Sequence, residues 1–312
     1  MIILGNFYKF SSDEKFILNN LFNNCFYFDD FNGIDDNIIE KIENYINQNN
    51  KTNLIVLNTN KKISDKIIKY LTNIQFEKTK NVKIISIENF IEKYFQKCYI
   101  PENNNDLHFL NDIKNYSNFQ YFQKRIIDYL GFFILFFVFL IIFPIYLIKM
   151  LKQSKGSIFF IQKRIGKNGI IFNCYKFRTM DENNNFNLNN LYTQDDDKRI
   201  FPFAKFMRKT RLDELPQIFN VLKGEMHLIG PRAEWNLLVE KYEKEIPYYQ
   251  ERHIVAPGIS GLAQVNYKYG QNNNDTKQKL MYDLFYIKKW NIFLEIKIIF
   301  KTILIMLKQK GI

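Results

Sequence analysis

The sequence predicts an α/β protein in two parts. Residues 1–100 read as a small domain on a parallel sheet, 101–118 as a linker, and 119–312 as an α+β domain embedded in a membrane near 130–150, with amphipathic helices at the interface. Three observations carry this reading. Short apolar runs alternate with amphipathic stretches over residues 1–95, the rhythm of strands joined by crossover helices. Nineteen consecutive residues, 130–148, carry no charge. The basic surplus is confined to the second part: residues 1–115 hold 14 basic and 15 acidic side chains, a net −1, while 116–312 hold 30 and 17, a net +13 within the total of +12. Such a domain suits phosphates, whether of nucleic acid, anionic lipid or a nucleotide, with a solvated lysine-rich surface as the plain alternative. A hydrophobic content of 46% supplies a core and excludes wholesale disorder. The three cysteines, Cys25, Cys98 and Cys174, are too few and too scattered for a disulfide framework or a cysteine-rich zinc site, which points to a reducing cytoplasm. The first residues lack the order of a cleavable signal peptide.

In the first part, candidate strands are 2–4, 25–28, 54–57 and 82–85. Ser11 and Glu14 form a capping box ahead of Phe16, Ile17, Leu21 and Phe22, and Ile38, Ile39, Ile42 and Ile46 recur at helical spacing. Together these describe a Rossmann-like domain. No G-x-G-x-x-G follows its first strand, so a packing or regulatory role is expected of it rather than dinucleotide binding.

The run at 130–148 is long enough for a bilayer core. Lys124 and Arg125 precede it, and Lys149, Lys152, Lys155, Lys163 and Arg164 follow, so the positive-inside rule holds both ends on the cytoplasmic side. Pro144 offers a place to turn, because it lacks an N–H and clashes with the carbonyl four residues back. A re-entrant helix–break–helix hairpin satisfies both observations; a single crossing is the alternative. Beyond it, 157–162 and 170–178 read as strands about a turn containing Gly166 and Gly169, and 183–190 as an Asn-rich loop. Two amphipathic stretches follow, 237–249 and 292–307, the second suited to a membrane surface.

Five clusters occur in order after the membrane segment: Tyr175-Lys176-Phe177-Arg178-Thr179-Met180; Arg208-Lys209-Thr210-Arg211-Leu212-Asp213-Glu214-Leu215-Pro216-Gln217; Asn220-Val221-Leu222-Lys223-Gly224-Glu225-Met226; Gly230-Pro231-Arg232; and Pro257-Gly258-Ile259-Ser260-Gly261-Leu262-Ala263-Gln264-Val265-Asn266. Over about 119–312 they resemble the bacterial sugar transferase family, the monotopic polyprenyl-phosphate phosphoglycosyl transferases. Residues 1–115 look like the domain that precedes the catalytic part in larger members, without the four transmembrane helices that usually stand before it. The resemblance implies transfer of a sugar 1-phosphate from a UDP-sugar to a polyprenyl phosphate such as undecaprenyl phosphate, with release of UMP. It also implies magnesium as cofactor and a bacterial inner membrane with the catalytic domain facing the cytoplasm. In the family an Asp-Glu dyad does the chemistry, and the matching pair is Asp213 and Glu214, with Asp213 attacking phosphorus and both residues placed to hold the metal. The product would start a capsule, exopolysaccharide or lipopolysaccharide; a homo-oligomer is compatible with this, and nucleic acid is not an expected partner. Four positions depart from the family pattern: Phe143 before the kink proline, Ala233 after Gly-Pro-Arg, Ala256 before Pro257, and Leu262 where Trp is common.

The chemistry of the same residues agrees. A carboxylate can be a covalent nucleophile at phosphorus, but two anions must then approach, so the site needs cations. Arg208 and Arg211 stand within five residues of Asp213. Pro216, the apolar residues after it and Gly224 suggest a helix starting near the dyad, whose amides favour anions. Thr210-x-x-Asp213 also fits a mere helix cap. Lys176, Arg178, Arg232 and Arg252 are the remaining candidates for phosphate contact. The loop 257–261 offers tight turns where backbone approaches a ligand, while His227 and His253 lack a second ligand and read as structural. A non-catalytic membrane scaffold binding anionic lipid is the competing function.

Overall fold

The computed structural model of the 312-residue chain describes residues 1–22, 25–28, 35–48, 54–60, 63–77, 82–102, 112–181, 199–267 and 272–308. The chain divides into two compact units, Met1–Tyr99 and Ile100–Ile312. The loop expected at 183–190 and half of the linker at 101–118, residues 103–111, lie outside the described residues.

In the first unit, β1 (Ile2–Leu4), β2 (Phe26–Phe28), β3 (Leu54–Leu57) and β4 (Lys83–Ser86) form one sheet in the order β2-β1-β3-β4. Every pairing is parallel. The two central strands are buried on both faces, which is why they read as unbroken apolar runs rather than alternating ones. Between the strands run α1 (Ser12–Leu21), α2 (Asp35–Gln48) and α3 (Asp65–Phe76), and α4 (Ile87–Phe95) follows β4 directly. The expected capping box starts α1: Glu14 N–H donates to Ser11 Oγ at 3.2 Å, and Ser11 N–H to Glu14 Oε2 at 2.9 Å. Glu14 also accepts from Lys97 Nζ at 2.5 Å in a pair almost wholly buried. Ile38, Ile42 and Ile46 face the core from α2 at the expected spacing.

Beyond the ends of β1 and β3, where a sheet of this order offers a ligand crevice, the chain bonds to itself. Asn58 accepts from Tyr8 N–H at 2.7 Å, and its amide donates to the carbonyls of Tyr8 at 3.0 Å and Gly5 at 3.3 Å. Gly5 is required there: its φ is +95°, and a Cβ would meet the Asn58 carbonyl oxygen at 2.4 Å.

The second unit is organised on α5 (Asn118–Gln153), a helix of 36 residues long and apolar enough to cross a membrane. It corrects the expected break, because Pro144 lies inside the helix and does not end it. Pro144 cannot donate to the carbonyl of Leu140, but tertiary contacts hold the segment beyond it. Tyr146 is fully buried, with its hydroxyl 2.9 Å from the Arg178 carbonyl oxygen and 3.0 Å from that of Ile158. One stripe of α5, including Phe132, Phe139, Tyr146 and Met150, packs on Phe177, Ala204, Met207, Leu215 and Ile218. The opposite face, with Phe133, Ile134, Phe137, Leu140 and Ile141, is exposed and wholly apolar. The beginning of α5 is bonded to the same unit as its end. Lys124 is not a solvated flanking charge: it is fully buried and donates to Glu295 Oε1 at 2.7 Å, Tyr286 Oη at 2.8 Å and the Ile229 carbonyl at 2.9 Å.

After α5 come the antiparallel strands β5 (Phe159–Ile165) and β6 (Ile171–Phe177), then α6 (Pro202–Lys209) and α7 (Ile218–Lys223). The short parallel pair β7 (His227–Ile229) and β8 (Gly258–Ser260) brackets α8 (Asn236–Glu245). The chain continues through α9 (Leu262–Asn266), α10 (Asn273–Lys288) and α11 (Ile292–Leu307). On α11, Leu294, Glu295 and Ile298 are buried, while Phe293, Phe300, Leu304 and Leu307 stay exposed, so this helix both packs and presents an apolar face.

Asn58→Ala removes three hydrogen bonds to buried backbone and is expected to cost the first unit about 2 kcal/mol. Hydrogen exchange of the β1 and β3 amides in the full chain measures this, with protection falling there and unchanged in α5.

Candidate active site

Three segments of the second unit converge on one carboxylate. The strand β6 carries Lys176 near its end. Helix α6 opens with Pro202, whose missing N–H costs nothing in a first turn, and ends at Thr210. Arg211 then adopts left-handed backbone at φ 56°, which turns the chain into a 3₁₀ segment, Leu212–Gln217, holding Asp213 and Glu214. Leu215 and Ile218 anchor this segment in the core beneath α5. The third segment, Gly230-Pro231-Arg232, leaves the end of β7.

Two sequence expectations change here. Helix α7 begins after the dyad, at Ile218, so the dyad sits in the 3₁₀ turn and not at the start of an α-helix. The capping alternative does not form either, because Thr210 Oγ1 donates to the carbonyl of Phe206 at 2.8 Å and the turn has no side-chain cap.

Glu214 is buried, and its Oε1 accepts from Lys176 Nζ at 2.6 Å and from Arg232 Nη2 at 3.2 Å. Burial alone would raise its pKa; the charges of Lys176, Arg232 and Arg211 outweigh that and hold the carboxyl well below the usual range. Asp213 moves the other way. Burial raises it first and the Glu214 charge second, against Lys176, Arg208 and Arg232, and the carboxyl is pushed up to about 6. The adjacent carboxylates are thus unlike: one is a fixed anion locked between cations, the other a more basic carboxylate that is still mostly ionised at neutral pH.

The structure brings together Lys176, Arg208, Arg211, Asp213, Glu214 and Arg232. Arg208 lies beside Asp213 and donates through Nε to Thr179 Oγ1 at 3.0 Å. Arg211 is charged against Glu214 and Asp213. Arg232 keeps 33% of its side chain exposed and can still meet a ligand.

Arg178 and Arg252 are corrections, since they are 3% and 4% exposed and spend every guanidinium nitrogen on the protein. Arg178 donates to the Ser157 carbonyl at 2.6 Å, to Ser154 Oγ at 2.7 Å and to the carbonyls of Met180 at 3.0 Å and Ser154 at 3.1 Å, tying the end of α5 to the hairpin. Arg252 forks onto Asp283 Oδ2 at 2.7 and 3.1 Å and reaches Tyr249 Oη at 3.0 Å and the Arg232 carbonyl at 2.8 Å. His227 is structural, with Nδ1 2.6 Å from Asp128 Oδ2.

Sequence reasoning missed how the site is braced. Asn220, fully buried on α7, accepts from Tyr175 N–H at 3.2 Å and donates to the Asn173 carbonyl at 2.7 Å, clamping the strand that carries Lys176 to the helix that follows the dyad. Its place inside a recognisable cluster was the available signal. Asp283, in a helix with no motif, gave none. The glycines of 257–261 let the backbone come close to that of Gly230. Gly258 N–H donates to the Pro231 carbonyl at 2.8 Å, and a Cβ on Gly258 would stand 2.0 Å from Gly230 N.

No group of three or more His, Cys, Asp and Glu residues forms a metal cage among the described residues. A magnesium ion needs no such cage, since one or two carboxylates together with substrate phosphates can hold it. Asp213 and Glu214 are the carboxylates that would hold one, and both hydrogen bonds to Glu214 fall on Oε1. Four basic residues around two carboxylates leave a positive excess, which matches a diphosphate.

The family model described as bacterial sugar transferase matches residues 119–309. Over 151 residues the chain is 47% identical to a UDP-N-acetylgalactosamine-undecaprenyl-phosphate N-acetylgalactosaminephosphotransferase of Aeromonas hydrophila, covering 48% of this chain and 36% of that protein. It is 42% identical over 159 residues to a UDP-glucose:undecaprenyl-phosphate glucose-1-phosphate transferase of Xanthomonas campestris pv. campestris, covering 50% and 33%. With the galactosyl transferase CpsE of Streptococcus agalactiae it shares 34% over 242 residues, covering 74% and 51%. The matches therefore span between a third and about half of these relatives' own lengths.

Because the backbone under Arg232 leaves no room at Gly258, Gly258→Ala should destabilise the protein by about 3 kcal/mol. Thermal unfolding in detergent would show it as a lowered midpoint; an unchanged midpoint would mean that β7 and β8 can separate at no cost.

Proposed function

The chain belongs to the bacterial sugar transferase family, and from that membership we propose that it is a polyprenyl-phosphate sugar-1-phosphate transferase. It would pass a sugar 1-phosphate from a UDP-sugar to a polyprenyl phosphate such as undecaprenyl phosphate, release UMP, and start a cell-surface glycan such as capsule, exopolysaccharide or lipopolysaccharide. The observation that carries this reading is the unlike pair of carboxylates, Asp213 basic and Glu214 locked between Lys176 and Arg232. A scaffold that only held anionic lipid would have no use for a buried acid in a basic site.

The chemistry proceeds by two displacements at one phosphorus. The β-phosphate of the UDP-sugar rests against Arg232, Arg211 and Arg208, which offset its repulsion from the dyad. An Asp213 carboxylate oxygen bonds to the sugar-bearing phosphorus as the bridging P–O bond to UMP breaks, leaving an aspartyl phosphosugar. A phosphate oxygen of the lipid then attacks the same phosphorus. The Asp–phosphorus bond breaks, giving the polyprenyl diphosphate sugar and restoring Asp213. Magnesium, held by Asp213 and Glu214 with the diphosphate oxygens, would neutralise charge on the leaving group. Glu214 keeps Lys176 and Arg232 in place through both steps.

The lipid acceptor requires a membrane. The exposed apolar face of α5 and that of α11 support a unit seated in the cytoplasmic leaflet of a bacterial inner membrane. Both ends of α5 are bonded to the catalytic unit, through Lys124 and through Tyr146. With Pro144 inside an unbroken helix, that supports both ends of α5 lying on one side of the membrane. Residues 1–99 read as a Rossmann-like accessory unit.

Two measurements test the reading. Asp213→Asn should lower UMP release by at least about a thousandfold while the protein stays folded and membrane-bound. The wild-type enzyme, given magnesium and its UDP-sugar without lipid, should release UMP in an amount limited by enzyme and gain one sugar-phosphate of mass that polyprenyl phosphate discharges. UMP that appears only when both substrates are present, with no adduct after rapid quenching, would leave the lipid phosphate as the sole nucleophile. Separately, labels at Gln120 and Lys155 should both react only from the cytoplasmic side; labelling from opposite sides would make α5 a crossing helix.

A further inference from the structure

The stretch 231–234, which presents Arg232, has each of its carbonyls held by a different donor. Pro231 accepts from Gly258 N–H at 2.8 Å, Arg232 from Arg252 Nη2 at 2.8 Å, Ala233 from Arg164 Nη1, and Glu234 from Ile165 N–H at 3.1 Å. Two of these bonds come from backbone amides at strand ends and one from the side chain of Arg164 on β5. The fourth, at Arg232 itself, comes from a side chain that is itself buried and gripped: Arg252 forks onto Asp283 of α10 and meets Tyr249.

We propose that Arg252 and Asp283 are positioning residues, which act on the nucleotide diphosphate through the backbone of Arg232 without touching it. This rests on the functional reading above. A buried ion pair is a poor means of gaining stability, since desolvation offsets its attraction, but it directs a guanidinium well. Asp283 takes Nε and Nη2, and the remaining hydrogen of Nη2 points to the Arg232 carbonyl. Only a planar fork can satisfy both acceptors at once; an ammonium at that place keeps the charge and loses the geometry. Arg232 in turn must reach Glu214 with one end of its guanidinium while leaving a third of the side chain open, so a small shift of its backbone would close one function to serve the other.

The test uses UDP as probe, its affinity measured by calorimetry with magnesium on the full chain in detergent. Arg252→Lys and Asp283→Asn are each made alone and together with Arg232→Gln. Each alone should weaken UDP about tenfold, and in the Arg232→Gln background by less than about twofold, because the residue they act through is gone. Arg252→Lys keeps a cation opposite Asp283 and guards against unfolding, with thermal midpoints recorded for all variants. Tyr249→Phe, which leaves no buried charge unpaired, is the second safeguard and should weaken UDP about threefold by the same route. Unchanged affinity, or the same loss with and without Arg232, overturns the proposal and leaves Arg252 and Asp283 as plain structural residues. Turnover by the wild-type enzyme is read separately. UDP binding that depends on Arg232 in the expected way, with no UMP released from any UDP-sugar, would sink the transferase reading and leave the positioning role standing.

Discussion

A buried carboxylate between two cations is the constraint around which the second unit is arranged. Glu214 cannot be taken out of water alone; an uncompensated charge there costs several kcal/mol. The two residues that neutralise it arrive from distant parts of the chain, Lys176 from the β5–β6 hairpin and Arg232 from beyond β7. Much of the remaining structure supports that meeting. Asn220 ties the hairpin to α7, the three glycines at 230, 258 and 261 let two backbones approach closely, and Arg252 fixes the carbonyl of Arg232. The same arrangement leaves Asp213, one residue away, with less cationic support and a higher proton affinity. Two adjacent residues of similar chemistry acquire different properties from their surroundings alone.

The long apolar helix and the polar site are parts of one core. Phe139 of α5 stacks on Phe177, which follows Lys176, with ring centroids 5.8 Å apart. Leu215, which follows Glu214, packs into the same cluster. One face of α5 therefore supports the segments that carry Lys176 and Glu214, while the other is exposed among the described residues. Its early turns are equally committed: Arg125 donates to the Val221 carbonyl at 2.9 Å near the end of α7, and Asp128 accepts from Leu228 N–H at 2.9 Å on β7.

Much of this was legible in the sequence where a local rule decides the outcome. The strands at 2–4 and 54–57, the Ser11–Glu14 box and the bounds of α11 follow from unbroken apolar runs, cap chemistry and helical spacing. What residue type cannot disclose is burial and partnership over long distances. Arg178 and Arg252 have the right chemistry for phosphate, yet Ser154 and Asp283 had claimed them. Lys124 looked like a membrane-flanking charge because nothing near it in sequence announces Glu295. Pro144 was read as a break because its cost is local, while the packing of Tyr146 that offsets it depends on Arg178, 32 residues away.

The pair formed by Lys124 and Glu295 has a consequence for how the protein is made. The two residues are separated by 171 positions, so at ribosomal speeds of roughly 5 to 20 residues per second the lysine waits about 10 to 30 s for its partner. For that interval the apolar segment of α5 has been made, but the polar pocket that is to receive its first turns has not. The apolar face of that segment therefore emerges before its own unit can close. Completion of that unit is deferred until α11 has emerged, so the contacts of α5 form in a set order, with the buried ion pair at its first turns made last.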